Sequence, residues 1–100
     1  MKVTIQSLHF TAAEPLKTYI QKKCDKLDQF FDKIIDAEVI LKVRNEVKDA
    51  NKYVEVRLNV PGEILIASDQ GQRFEEATDL ATDKLKRQLK NYKDKLRATI

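Results

Sequence analysis

The stretch "DKLKRQLKNYKDKL", with Arg97 just beyond it, sets Lys84, Lys86, Arg87, Lys90, Lys93, Lys95 and Arg97 against Asp83 and Asp94. Ammonium and guanidinium groups at this density do one kind of chemistry well. They neutralise phosphates, lysine as a point charge and arginine as a planar fork across two oxygens. From Lys84 to Arg97 the balance is 7 − 1 = +6, whereas from Asp69 to Asp83 Arg73 opposes Asp69, Glu75, Glu76, Asp79 and Asp83, 1 − 5 = −4. The whole chain carries only +3. The segregation, rather than the total, creates a local field able to attract a polyanion. Cations also suit the negative end of a helix dipole, but that effect fades within the last turn, and this series begins about three turns earlier. Acidic residues placed four positions ahead of a base are scarce, Asp83–Arg87 being the pair that fits. Composition therefore favours a polyanion-binding surface over a plain solvated face.

Other chemistries find little support. His9 is the one histidine, with no second ligand at metal spacing, so it reads as a structural or surface residue and no metal is expected. Cys24 falls on an apolar stripe with nothing nearby to stabilise a thiolate, and reads as a buried, inert thiol. "DQGQ" (Asp69 to Gln72) has one glycine and no phosphate-loop lysine. No pair of carboxylates is singled out for acid–base work. The expectation is a protein that is not an enzyme, with no cofactor and no small-molecule substrate.

The elements that must position the cations follow from periodicity. Residues 2–8 alternate as a strand, with a bulge or strand end near Ser7. "TAAE" (Thr11 to Glu14) has capping-box spacing, and Pro15 is tolerated in a first helical turn. Leu16, Ile20, Cys24, Leu27, Phe31 and Ile34 then form one stripe, which predicts a helix of about five turns. "AEVILKV" and "YVEVRLNV" alternate as strands separated by a polar loop, and Pro61-Gly62 turns the latter into "EILIAS" as a hairpin. On the open face of that sheet Tyr53, Glu55, Arg57 and Leu65 are expected to be exposed. Phe74, Ala77, Ala81, Leu85, Leu89, Tyr92 and Leu96 line one side of a long second helix, with Tyr92 at the core edge. The fold class is α+β: a two-layer sandwich in the order β-α-β-β-β-α, a four-stranded sheet with two helices on one face, the first two strands pairing in parallel.

At 100 residues the chain reads as one domain, 1–100. No apolar run approaches the roughly 20 residues that span a bilayer, and the N-terminus lacks a signal peptide's apolar core. One cysteine suits a reducing compartment, so the expected location is cytoplasmic, without a membrane partner. On the first helix Lys22, Lys23 and Lys26 would extend the basic patch if both helices share a face, diluted by Asp25, Asp28 and Asp32.

With these elements assembled, the sequence resembles the bacterial ribosome hibernation-promoting factors, also called ribosome-associated inhibitors. The resemblance runs through "KLDQFFDKI", "LKV", "GEILIAS" and most closely "GQRFEEATDLATDKLKRQLKNYKDKL". It implies the same strand and helix order, similar to a double-stranded RNA-binding domain. It also implies binding to the small ribosomal subunit at the decoding region, occluding mRNA and tRNA sites and inhibiting translation in stationary phase or stress. By this resemblance Lys84, Arg87, Lys93 and Lys95 match basic positions of the family's helix that contact rRNA phosphates, Lys86 and Lys90 add charge, and Gln88 reaches a ribose or phosphate. From their charge and placement Arg97, Lys22, Lys23 and Lys26 are expected to join the same rRNA-binding face. Asn91 and Tyr92 stand where relatives often carry basic or histidine side chains. The chain resembles the short class, in which a helper protein can serve ribosome dimerisation. The alternative function is a general double-stranded RNA-binding module.

Overall fold

Alternation divides the sheet into a dry face and a wet one. The computed structural model describes residues 1–46 and 48–98, the side chain of Ala98 excepted, so Val47 of the polar loop lies outside the described residues. Strand β1 (Lys2–Ser7) is followed by helix α1 (Glu14–Asp25) and a 3-10 turn (Lys26–Gln29). Strands β2 (Asp36–Val43), β3 (Lys52–Val60) and β4 (Glu63–Gly71) come next, and helix α2 (Phe74–Ala98) closes the order. The sheet runs β1-β2-β3-β4, with β1 and β2 parallel and the other pairs antiparallel. Val39, Leu41, Val54, Val56 and Leu58 are fully buried on one face, with Ile20 and Cys24 of α1, Leu27 of the 3-10 turn, and Leu85 and Leu89 of α2 in the same core. Both helices thus cover the same side, in the expected two-layer order β-α-β-β-β-α.

Four local expectations are corrected. Thr11 does not cap α1; the N-cap is Ala13, without a side-chain bond, and Leu16 and Lys17 donate their amides to its carbonyl. Had Thr11 been the cap, Pro15 would stand where the helix first needs an N–H, which proline lacks. The start moves two residues on, which puts Pro15 in the first turn. The first helix is also shorter than five turns, because α1 ends at Asp25 and tightens into the 3-10 turn. Leu27 and Phe31 stay buried regardless, since over a single turn a period of 3.0 and one of 3.6 bury nearly the same positions.

Leu65 is buried, and Ile64 and Ile66 are the exposed residues, at 58% and 50%. The two-residue turn pairs Val60 with Glu63 and hence Leu58 with Leu65, so Leu65 must face the core with its partner. Gly62 makes that turn possible by holding φ at +79°, a region closed to most side chains. Finally, Leu96 continues the α2 stripe but is 43% exposed. Tyr92 donates its hydroxyl to the Pro61 carbonyl at 2.5 Å, at the β3–β4 end of the sheet. Tyr92, at 6% exposure, is the last buried position of α2 among the described residues.

Two core positions escaped the apolar reading. Thr78 and Thr82 are buried on α2, their hydroxyls bonded to the carbonyls of Phe74 and Thr78 at 2.7 and 2.9 Å. The hydroxyls are satisfied within the helix, so each threonine packs as a small residue under the sheet.

Candidate nucleic-acid interface

Helix α2 carries its charge in two halves, and the fold treats them differently. The acidic half is tied down. Tyr19 of α1 donates its hydroxyl to Asp79 at 2.6 Å, and Lys23 pairs with the same carboxylate at 3.2 Å. The Asp79 hydrogen bond, with burial and the carboxylate charges behind it, pushes the Tyr19 phenol up to about 12, so it remains a donor at neutral pH. Glu75 faces Arg73 at 3.6 Å, and Asp83 faces Lys86 at 3.6 Å. Much of the negative charge is therefore spent inside the molecule.

The predicted cations separate into two groups. Lys84 donates to the Ser68 carbonyl at 2.9 Å and pairs with Asp69 at 2.9 Å, while Gln88 donates to the Ile66 carbonyl at 2.9 Å. These two side chains cover the outer edge of β4, where strand carbonyls would otherwise be open to another chain. Burial alone would raise the Asp69 carboxyl, but the Lys84 hydrogen bond, the Gln70 amide and the Lys84 charge together hold it below its usual value. A carboxyl depressed in the folded state stabilises above its unfolded value, and that stability is lost as pH falls through the folded one. Lys84→Met leaves only the Gln70 amide to oppose burial, so its acid-unfolding midpoint, followed by circular dichroism, is expected to move to higher pH. An unchanged midpoint would show the pair to be idle.

Arg87, Lys90, Lys93, Lys95 and Arg97 have no ion-pair partner among the described residues, nor have Lys22 and Lys26. On a wheel of 3.6 residues Lys26 lies on the flank of α1 that carries Tyr19 and Lys23, toward α2, while Lys22 points outward, between that flank and Asp25. Asp25 and Asp28, which seemed to dilute this helix, lie on the other flank and hold the Met1 ammonium at 3.3 and 3.4 Å. Together they raise the ammonium above its usual value, chiefly through the Asp25 hydrogen bond. Two of the carboxylates on this helix are thus committed to the chain's own N-terminus, on the side away from Lys23 and Lys26. Lys95 and Asn91 sit on the β4 side of α2 beside Gln88 and Tyr92.

Arg87 sits elsewhere than its sequence neighbour Lys84. It joins Lys86, Lys90, Lys93 and Arg97 along a cleft of about 450 Å³, opposite Gln29 and Phe30 at the end of the 3-10 turn. Asp94 is the acidic member of that lining. Like charges three and four residues apart each cost a helix a few tenths of a kcal/mol, and Lys90 has three such neighbours in Lys86, Arg87 and Lys93. The arrangement opposes stability, which a surface kept for an anion would do. Lys90→Glu is accordingly expected to stabilise the fold by on the order of 1 kcal/mol after repulsion from Asp94 is allowed for. That raises the thermal midpoint by about 4–8 °C. A lowered midpoint would mean that the cations are already neutralised within the fold.

Phe30 is the residue that the apolar stripe did not point to. It is 40% exposed, and the Lys86 ammonium stands 5.5 Å from its ring centroid. Its neighbour Phe31 is buried, edge-on to Tyr92 at 5.2 Å. Tyr92 is thereby closed off from stacking, in keeping with its expected place at the core edge. The signal was the doublet in "QFFDK": adjacent residues cannot share one face, so one ring had to look outward. Of the remaining reactive groups, Cys24 is fully buried, and burial pushes its thiol up to about 12. His9 is exposed just past β1, in the left-handed region at φ +66°. No three His, Cys, Asp or Glu side chains gather at a common point among the described residues, and no described helix is long and apolar enough to cross a membrane.

Residues 3–97 match the family described as sigma 54 modulation protein / S30EA ribosomal protein. The chain is similar to the ribosome hibernation promoting factor of Pseudomonas putida, 35% identical over 95 residues, which is 95% of this chain and 89% of that protein. It is similar to the same-named factor of Escherichia coli K12, 35% identical over 97 residues, covering 97% of this chain and 98% of that protein. In fold it is similar to a ribosomal subunit interface protein from Coxiella burnetii, with a TM-score of 0.83 and 23% identity over 94% of this chain and 99% of that one. The N-terminal domain of Thermus thermophilus Protein Y is similar too, with a TM-score of 0.80 and 22% identity over 92% and 99%.

Proposed function

The chain belongs to the sigma 54 modulation protein / S30EA ribosomal protein family, and from that premise we propose that it is a ribosome hibernation factor. It binds the small ribosomal subunit at the decoding region and inhibits translation in stationary phase or stress. One observation carries the reading beyond the family: cations without ion-pair partners among the described residues collect along one cleft and one helix end. Arg87, Lys90, Lys93 and Arg97 form the centre of the rRNA-binding face, with Lys86, Lys95, Lys22 and Lys26 around it. Lys23, Lys84 and Gln88 take a supporting part, since each would have to give up an internal bond to reach RNA.

The mechanism is occlusion without catalysis. Phosphate oxygens exchange condensed counterions for lysine and arginine, and the freed ions supply much of the affinity. Helical rRNA is recognised by shape and phosphate spacing, because its major groove is too narrow for side chains to read. A rigid domain held there excludes mRNA and tRNA by volume. The protein acts in the cytoplasm, and a helper protein serves any dimerisation of ribosomes.

A general double-stranded RNA-binding module is the rival reading, and competition separates the two. Protein bound to purified small subunits is challenged with an isolated RNA duplex at equal phosphate concentration. Retention on the subunits supports the hibernation reading. Transfer to the duplex in proportion to phosphate supports the general module.

A further inference from the structure

We propose that Phe30 is a stacking platform for one unpaired RNA base, whose flanking phosphates are taken by Lys90, Lys93 and Arg97. This rests on the reading of the chain as an RNA-binding factor and deepens it, from phosphate neutralisation to recognition of an unstacked nucleotide.

Three observations meet at this point. The doublet at the end of the 3-10 turn sends Phe31 into the core and leaves the ring of Phe30 in water, 40% exposed. One face of that ring meets the Lys86 ammonium, and the part left in water at the rim of a cationic cleft is available for stacking. The cleft, at about 450 Å³, is within the range of small-molecule sites and joins that ring to cations without ion-pair partners among the described residues. The Lys86 ammonium already stands 5.5 Å from the ring centroid, so charge and π-surface are in register before any ligand arrives.

The pairing of chemistries selects the occupant. A phosphate alone has no use for the phenyl ring, and an apolar protein segment is repelled by the desolvation of four or five cations. A duplex keeps its base faces stacked inside. An unpaired nucleotide presents both a π-face and a phosphate, the combination by which single strands are commonly held. Asp94 then finds a place in an otherwise basic lining: it repels phosphate but accepts a hydrogen bond from a base N–H, and the Gln29 amide offers a second contact to the base edge.

The chain has no tryptophan, so Phe30→Trp introduces a single indole at the site, which can be excited at wavelengths where the tyrosines do not absorb. The variant is titrated with a mixed-sequence RNA single strand of about ten nucleotides, within the span that one small domain covers. Polyphosphate of matched charge and adenosine monophosphate serve as comparators. The expected result is quenching by the RNA, binding of polyphosphate without quenching, and no effect of the mononucleotide at equal concentration. Phe30→Ala is expected to weaken RNA binding about tenfold while leaving polyphosphate binding unchanged. Unaltered RNA affinity in Phe30→Ala would overturn the proposal, as would equal quenching by polyphosphate or saturation by the mononucleotide alone. Glutamate at Arg87, Lys90, Lys93 and Arg97 distinguishes the levels. If that variant loses the small subunit while Phe30→Ala does not, only the stacking falls. If neither variant loses it, the RNA-binding reading of this face falls as well.

Discussion

Replacing Arg87, Lys90, Lys93 and Arg97 together by glutamate is expected to abolish association with the small ribosomal subunit. At about 1.5 kcal/mol for each of four charge-assisted contacts, the loss is on the order of 10⁴-fold in affinity, before the repulsion of the new carboxylates is counted. The fold should survive, because all four side chains project from the side of α2 opposite the buried Ala81, Leu85 and Leu89 or along its margin. Far-UV circular dichroism checks the fold, and sedimentation with purified subunits checks the binding. The informative contrast is Lys84→Met. Its ammonium is committed to Asp69 and the Ser68 carbonyl, so its removal should cost acid stability far more than binding. If the Lys84 variant lost the subunit and the quadruple variant kept it, the face would have been assigned to the wrong side of α2.

The second large effect is that of salt. Five cations of α2 have no ion-pair partner among the described residues: Arg87, Lys90, Lys93, Lys95 and Arg97. If each displaces one condensed counterion, the logarithm of affinity falls against the logarithm of salt with a slope of about −4, and between 50 and 200 mM that is roughly 10²–10³-fold. A nitrocellulose-filter titration at several salt concentrations measures the slope. A slope near zero would point to a protein partner gripped by apolar contact, for which the exposed Ile64 and Ile66 of the open sheet face would be the first place to look. Each single substitution within the set should reduce the slope by about one unit. Lys84→Met should leave it nearly unchanged.

The strands and the long helix were legible in the sequence because each has a clean period over many residues. A period of two over "YVEVRLNV" and one of 3.6 from Phe74 to Tyr92 admit a single burial pattern. Where a signal spans only one turn, the reading failed. The TAAE box and Pro15 made competing claims on the same helix start, and the proline prevailed because a missing N–H cannot be supplied by a cap. The tightening after Asp25 left no trace in the apolar stripe, since burial records which side faces inward and not which carbonyl accepts the bond. Leu65 was misplaced because "EILIAS" alternates apolar with apolar, so that only the register set by the two-residue turn decides whether Leu65 or the two isoleucines face water.

The site was half legible for a related reason. Sequence gives the identity and order of charges, and the crowding of lysine and arginine after Asp83 was plain. It does not give their tertiary partners. That Lys23 would meet Asp79 and Lys84 would meet Asp69 depends on how α1, α2 and β4 lie together. That Asp25 and Asp28 would turn away to the Met1 ammonium, leaving Lys22 and Lys26 without carboxylate partners among the described residues, required the same packing. Phe30 was visible only as half of a doublet. Its exposure depends on the 3-10 turn that the stripe concealed.

The central claim is occlusion of the decoding region by the basic face of this domain. Its most direct measurement is sedimentation of the chain with purified small subunits, empty in one gradient and loaded with mRNA and anticodon-paired tRNA in the other, at one low salt concentration. The account predicts that the protein travels with the empty subunits and stays at the top of the gradient with the loaded ones. Equal association with both, or with neither, would contradict it.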